Sequence, residues 1–483
     1  MSSAPAPAAA PPVARGAWLA LAVVLGAAFM SLLDTTIVNV ALPTIRTSLD
    51  ASESTLSWII SGYALAFGLA LIPAGRLGDR YGHKWVFITG LALFTAASLA
   101  CGLAQNDLQL ILARVVQGLG GGIFFPAVSA FIQLLFPPMA RGRAFAILGA
   151  VIGVSSALGP LVGGLIIQAL GDETGWRWIF AVNLPIGVIV LVAAIALLPS
   201  EAAGKATSND LIGLVLLSGA LVALLVPLIQ GQEEGWPLWT YLSIGGGVLL
   251  VVLFALWERS VASRGKDPLV PPRLFAHAQF AAGTILALVF FAAFTSIFFT
   301  ISLLWQAGLG HTALESGLVS VPFAIGNIIG ASQSDRLAAR LGRAVLAIGV
   351  ALLTIGLTAL FLILLLVPTA DLTNWTLLGP LLVAGLGSGL FIAPNVRFIV
   401  ATVDRSEAGA ASGVIGTMQR VGAAAGIAVI GSVFFGNIGP IAGPADLPAA
   451  FGQAATPALA VSAALALAAF LLVFTLPKRV QLH

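Results

Sequence analysis

Charge is what this chain has least of: Asp, Glu, Lys and Arg together make up 8% of its 483 residues, against 59% hydrophobic residues. That balance excludes an ordinary soluble domain. With Cys101 as its one cysteine, the chain can form neither an intramolecular disulfide nor a cysteine-based metal cluster. His83, His277, His311 and His483 offer no pair at ligand spacing, so no metal site is expected. No GxxxxGK[ST] segment is present, which argues against direct use of ATP. No cofactor is called for, and the chain is not expected to be an enzyme. The net charge of +3 and the pI near 9.3 do not indicate nucleic acid, because the basic residues are scattered singly rather than gathered into a patch. Nor does the sequence indicate an obligate protein partner.

Long apolar runs are abundant, and at roughly 20 residues per membrane crossing they predict fourteen helices. These cover 18–42, 55–75, 83–104, 108–135, 143–170, 177–199, 211–230, 240–257, 279–305, 313–333, 343–367, 375–399, 408–435 and 456–476. The expected class is an all-α polytopic membrane protein surrounded by a lipid bilayer. Short cytoplasmic loops retain Lys and Arg. With both termini in the cytoplasm, every basic loop residue except Arg46 and Arg177 falls on that side, while Arg114, Arg397 and Arg420 fall inside predicted helices. Residues 1–17, rich in Ala and Pro, are expected to be a disordered cytoplasmic tail, and 477–483 a second tail. The first apolar run is too long for a cleaved signal segment and should remain as a helix.

The halves of the chain repeat at an offset of about 260 residues. Gly118-Leu-Gly-Gly-Gly-Ile-Phe124 matches Gly385-Leu-Gly-Ser-Gly-Leu-Phe391, Gly159 and Gly163 match Gly422 and Gly426, and Arg80-Tyr-Gly-His83 matches Arg340-Leu-Gly-Arg343. Three matches in the same order imply two six-helix bundles, 18–200 and 279–476. A linker, 201–278, carries the inserted seventh and eighth helices. Parallel repeats of this size around a midplane site are the plan of a rocking-bundle transporter.

Asp34 interrupts the first apolar run, where a carboxylate costs roughly 2.5–3.5 kcal/mol on insertion scales. It is either a proton or cation carrier, or a structural acid bonded to Thr35, Asn39 or nearby backbone. Placed about 6 Å from the centre of its predicted helix, it is suited to carry a proton. At the repeat offset its counterpart is Phe294, so the second half has no equivalent acid. Arg114 cannot shed its charge; it holds a watery polar network, modulates Asp34, or pairs with backbone carbonyls. Arg420, whose counterpart is Ala157, puts another charge inside a span. Glu315, near a span end, reads as an outer proton or cation group or as an interfacial surface acid.

Gly75-Arg-Leu-Gly-Asp79-Arg80-Tyr-Gly82-His-Lys84 compresses glycine and charge into the loop expected between the second and third helices. Gly159, Pro160, Gly163 and Gly164 predict a bend and a close neighbour in the fifth. The first of these segments resembles motif A of the major facilitator superfamily, departing from it at Gly78 and His83. Leu33-Asp34-Thr-Thr-Ile-Val-Asn39-Val-Ala-Leu-Pro43 resembles the first-helix signature of that superfamily's fourteen-helix drug:proton antiporters. Arg114-Val-Val-Gln117-Gly118 is similar to motif B. Gly159-Pro160-Leu-Val-Gly163-Gly164 is similar to the antiporter motif C, with Ser155 where that motif often has glycine. Trp176-Arg177-Trp178-Ile-Phe180-Ala-Val-Asn183-Leu-Pro185 looks like the subgroup's sixth-helix signature.

The resemblance implies a major facilitator fold in a bacterial cytoplasmic membrane and export of bulky drugs, amphipathic or cationic, in exchange for protons by alternating access. Asp34 and Arg114 would couple protons. Gly75, Asp79, Arg80, Gly82, Lys84, Gly159, Pro160, Gly163 and Gly164 would control gating. The same motifs allow dedicated export of an endogenous metabolite or self-made antibiotic; symport and a non-transporting receptor are disfavoured. For the substrate cavity the candidates are the amides Asn39, Gln117, Asn327 and Asn395, which hydrocarbon cannot satisfy, and the aromatics Trp58, Tyr63, Phe294 and Phe298. Helical periodicity does not tell a cavity face from a lipid face.

Overall fold

The computed structural model describes residues 15–51, 53–171, 173–200, 210–231, 234–266, 268–401, 403–404, 407–439, 441 and 443–476. The expected tails before residue 15 and after 476 lie outside them, as do Lys205, Arg405, Lys478 and Arg479. The first half contains α1 (Arg15–Leu49), α2 (Glu53–Tyr81), α3 (His83–Leu103), α4 (Asp107–Leu135), α5 (Pro138–Leu170), α6 (Gly175–Ala181) and α7 (Asn183–Leu197). Then come α8 (Leu211–Gln230), α9 (Leu238–Ser263) and a short α10 (Pro272–Ala276). The second half contains α11 (Ala278–Leu303), α12 (Ala313–Val319), α13 (Val321–Leu341), α14 (Ala344–Leu366), α15 (Asn374–Val400), α16 (Ala408–Gly436) and α17 (Leu447–Val473). With α6 and α7 forming one crossing and α12 and α13 another, 14 helical stretches among the described residues are long and apolar enough to span a membrane. Helices satisfy their own backbone polar groups, which hydrocarbon cannot do.

Several helices outrun their apolar runs, because length is set by backbone bonding and caps rather than by hydropathy. The Gly75–Lys84 segment is not a loop: α2 continues to Tyr81, and Gly82, at φ 90°, supplies the break before α3. Gly342, at φ 56°, does the same between α13 and α14. Both positions use the left-handed region that glycine enters without strain. Because α13 reaches Leu341, Asp335 belongs to a helix; because α9 reaches Ser263, Glu258 does too, with 2% of its surface exposed. α17 starts nine residues before its expected position. α5 passes through Pro160 as one continuous helix.

The repeated glycines mark equivalent crossings. α4 packs against α2 and α3, and α15 against α13 and α14. A Cβ at Gly118 would lie 2.3 Å from the Tyr63 carbonyl oxygen, and one at Gly385 would lie 2.0 Å from that of Phe323. Backbones this close tolerate no side chain between them. α5 likewise lies along α1, and α16 along α11. Between the bundles, α5 meets α12, α13 and α15, while α16 meets α2 and α4. The inserted α8 and α9 pair with each other, and α8 rests on α2 and α16. Two acids fasten this hairpin: Asp210 accepts from Gly213 N and Trp257 Nε1, each at 2.8 Å, and Glu258 accepts from Val270 N at 2.8 Å.

A candidate proton site inside the first bundle

The site is assembled by five helices, with α2 supplying the Ile59 carbonyl and the Tyr63 ring. The full length of α1 puts Asp34 about 3 Å from the helix centre, closer than its apolar run suggests. α4 begins at Asn106, whose side chain caps Gln109 N at 2.9 Å. Two turns further along it presents Arg114 and Gln117 on one face, three residues apart. The α6–α7 junction brings Asn183 in: Pro185 has no N–H to return to the Ala181 carbonyl, so helix bonding lapses there. Ser98 enters from α3.

Arg114 Nη1 donates to Asp34 Oδ2 at 2.6 Å and to Gln117 Oε1 at 2.7 Å, and Arg114 Nε donates to the Ile59 carbonyl at 3.2 Å. The other carboxylate oxygen, Asp34 Oδ1, accepts from Gln117 Nε2 at 2.9 Å and Asn183 Nδ2 at 2.7 Å. Gln117 Nε2 also reaches Ser98 Oγ at 2.7 Å. The Arg114 guanidinium lies 4.1 Å from the centroid of the Tyr63 ring, a favourable cation–π arrangement, and the Tyr63 hydroxyl is 3.1 Å from Ser31 Oγ. Asp34, Arg114, Gln117 and Asn183 are all buried. An acid this enclosed, with both oxygens bonded, can exchange a proton only if the cluster opens to water or passes the proton along. Asn183 was absent from the sequence candidates, although an amide in an apolar helix is itself a signal.

Of the other expected cavity residues, few approach Asp34. Asn39 is exposed and makes none of these bonds, because five residues turn it about 140° around α1 from Asp34. Trp58 is half-buried near the start of α2. Phe294 and Phe298 pack with Phe323 in the second bundle, at ring-centroid separations of 5.1–5.7 Å. Asn327 donates to Ser388 Oγ at 3.2 Å and crowds Gly153 of α5 at the seam between bundles. Asn395 donates to the Gly283 carbonyl at 3.3 Å. The cavity candidates therefore do not form one site with Asp34.

The expected gating residues lie at other junctions. Asp79 accepts from Ala410 N at 3.2 Å at the start of α16, joining the bundles, and sits 3.5 Å from His83 Nε2. Arg80 stacks on Tyr81, and Lys84 donates to the Ile195 carbonyl at 2.9 Å, while Gly75 is buried in α2. Gly159 and Gly163 press on Thr36 and Ile37 of α1, Gly164 is buried beside them, and Pro160 lies against Gly317 of α12. Arg420 reaches from α16 to the Phe67 ring at 4.1 Å. Glu315 forms a capping box with Thr312 and is exposed.

Comparison with known proteins adds three findings. The Major Facilitator Superfamily profile matches residues 24–427. A probable actinorhodin transporter of Streptomyces coelicolor is 40% identical, over 89% of this chain and 74% of its own, and the tetracenomycin C resistance and export protein of Streptomyces glaucescens is 32% identical, over 88% and 77%. The fold is shared with the proton:xylose symporter XylE, solved with 6-bromo-6-deoxy-D-glucose, at a TM-score of 0.66 and 15% identity, over 96% of this chain and 98% of that one.

Proposed function

The chain belongs to the major facilitator superfamily, whose members are transporters rather than enzymes, and we propose that it exports bulky organic molecules in exchange for protons. The bundles 18–200 and 279–476 rock about a substrate held between them, in a bacterial cytoplasmic membrane with both termini inside. One observation carries the reading: a buried carboxylate, Asp34, balanced against a single guanidinium, Arg114. With Asp34 ionised the pair is neutral. A proton on Asp34 leaves Arg114 uncompensated, and stripping a buried pair of one partner costs about 3–5 kcal/mol. α4 must then shift to bring Arg114 water or another acceptor. Gly118 holds α4 on α2, and α2 carries Asp79 to the seam, so proton uptake reaches the contact between bundles. A charge crossing about 100 mV supplies roughly 2.3 kcal/mol, close to a fiftyfold concentration ratio, enough for useful efflux.

The test is transport of a fluorescent dye in proteoliposomes under an imposed pH gradient, with Asp34→Asn beside the parent. Loss of gradient-driven transport with dye binding and folding retained is expected. Unchanged coupling in the variant removes Asp34 from the mechanism. A second reading, dedicated export of one antibiotic or metabolite, is favoured by relatives named for actinorhodin and for tetracenomycin C. A host expressing the chain that gains resistance to several unrelated drugs overturns the dedicated reading.

A further inference from the structure

Two guanidinium–aromatic pairs sit one turn apart on α2, and they differ in one respect. Arg114 stacks on Tyr63 and Arg420 on Phe67, each 4.1 Å from the ring centroid. Arg114 also binds a carboxylate; Arg420 binds none. Among the described residues Arg420 has no hydrogen-bond acceptor and no ion-pair partner, whereas Arg397 of α15 bonds Asp335 at 2.8 Å. An arginine cannot be neutralised by losing a proton, and a bare charge at membrane depth calls for a counter-charge or water. Stacking satisfies one face of the guanidinium and leaves its N–H edge available.

The position of Arg420 says what could supply that counter-charge. It stands on α16, which meets α2 and α4 of the other bundle, and it is half-buried, at the seam where alternating access would admit a substrate. Asp34 does not offset it, since that carboxylate is enclosed and already bonded to Arg114, Gln117 and Asn183. We propose that Arg420 is the recognition group for an acidic function on the transported molecule, a carboxylate or phenolate, so that the substrates are organic anions. This rests on the exporter reading and departs from the amphipathic or cationic drugs that the resemblance implies. The planar N–H fork of arginine can hold both oxygens of a carboxylate or the one oxygen of a phenolate, where a lysine ammonium is a point charge. Anion export also gains from the membrane potential: a monoanion leaving as one proton enters moves two charges the same way, while a departing monocation moves none.

The experiment uses two flat phenoxazine dyes of opposite charge, the monoanion resorufin and the monocation oxazine 1, above the pKa of resorufin. Binding to the purified full chain is measured for the parent, Arg420→Gln and Arg420→Lys, each checked for an unchanged unfolding temperature. The parent should bind resorufin about tenfold or more tightly than oxazine 1. Arg420→Gln should lose that preference while keeping its affinity for oxazine 1, and Arg420→Lys should keep part of it. A parent that prefers oxazine 1 or binds neither dye overturns the proposal, as does an Arg420→Gln that weakens both dyes alike. If Arg420→Gln does not fold, Arg420→Lys decides, and a resorufin preference equal to the parent's overturns the role of Arg420. The charge of the substrate is read separately on the parent in vesicles. An imposed inside-negative potential should raise resorufin export about fiftyfold per charge per 100 mV in the gradient reached and leave oxazine 1 export unchanged; equal responses overturn the proposal. A resorufin preference in binding without pH-driven export leaves Arg420 in its role and overturns the antiport reading alone.

Discussion

The two bundles use one packing scheme for two different interiors. Gly118 and Gly122 let α4 press on the backbone of Tyr63 and Phe67, and Gly385 and Gly389 let α15 press on that of Phe323 and Asn327. Around those shared crossings the side chains diverge. Where the first bundle has Asp34, Arg114 and Gln117, the second has Phe294, Leu381 and Ala384, all buried. Phe290, Phe294 and Phe298 form a continuous aromatic cluster with Phe323 and Phe391. The backbone crossings do not depend on the polar cluster, since the second bundle makes them without one. The first bundle's polar groups therefore add chemistry to a scaffold that apolar residues can build alone.

Replacing Arg114 with the leucine found at the matching second-bundle position tests that separation most severely. Arg114→Leu strands Asp34 and should destabilise the protein by about 3–5 kcal/mol, read as a drop in thermal unfolding temperature of the purified protein. Adding Asp34→Leu removes both charges and should recover most of the loss, because an apolar pair of similar volume often matches a buried ion pair. Proton coupling should remain absent in both variants. Failure of the double variant to recover stability would mean that the polar cluster holds the first bundle together, and the comparison would break.

A smaller and symmetric effect is expected at the glycines. A Cβ at Gly118 or Gly385 meets a carbonyl oxygen of the backbone, not a flexible side-chain end, so Gly118→Ala and Gly385→Ala should each cost about 1–3 kcal/mol. Only Gly118→Ala should also disturb coupling, since it displaces Tyr63 from beneath Arg114. Unfolding temperatures and pH-driven dye transport, measured on the same preparations, separate the two consequences. A large stability difference between the variants would show that the crossings are not equivalent.

The glycine spacing made this symmetry legible in the sequence, and the hydropathy runs gave all fourteen crossings, because both properties are local. Span ends were less legible. Residues 75–81 look like a charged loop, yet they continue α2 because their backbone has no reason to stop before Gly82. Asp34 and Arg114 stood out as charges in apolar runs, but their contact depends on how α4 crosses α1, which no short window records. Asn183 stands in the sixth-helix signature but is not among the site candidates, for the same reason: it joins the site through the α6–α7 break. Asn39 misled in the opposite sense, since its polarity was plain and its direction around α1 decides its environment.

The smallest expected difference concerns how each bundle touches the other. Asp79 belongs to the first bundle and accepts from Ala410 N at the start of α16, with 8% of its side chain exposed. Asp335 belongs to the second; it bonds Arg397 of its own bundle and crowds Gly142 near the start of α5, with 32% of its side chain exposed. A carboxylate at a helix N-terminus contributes about 0.3–1 kcal/mol, and a partly exposed ion pair about 0–1 kcal/mol. Asn can still accept a hydrogen bond, so Asp79→Asn removes charge while keeping a polar partner for Ala410 N. Cys101 is the chain's one cysteine and is buried, so the alkylation rate of a Ser412→Cys reporter in the first turns of α16 isolates that end of the seam. Asp79→Asn should raise it about two- to fivefold and Asp335→Asn less, since Asp335 does not bond α16. Equal increases would mean that the seam opens as one unit, with the two bundles contributing alike to its closure.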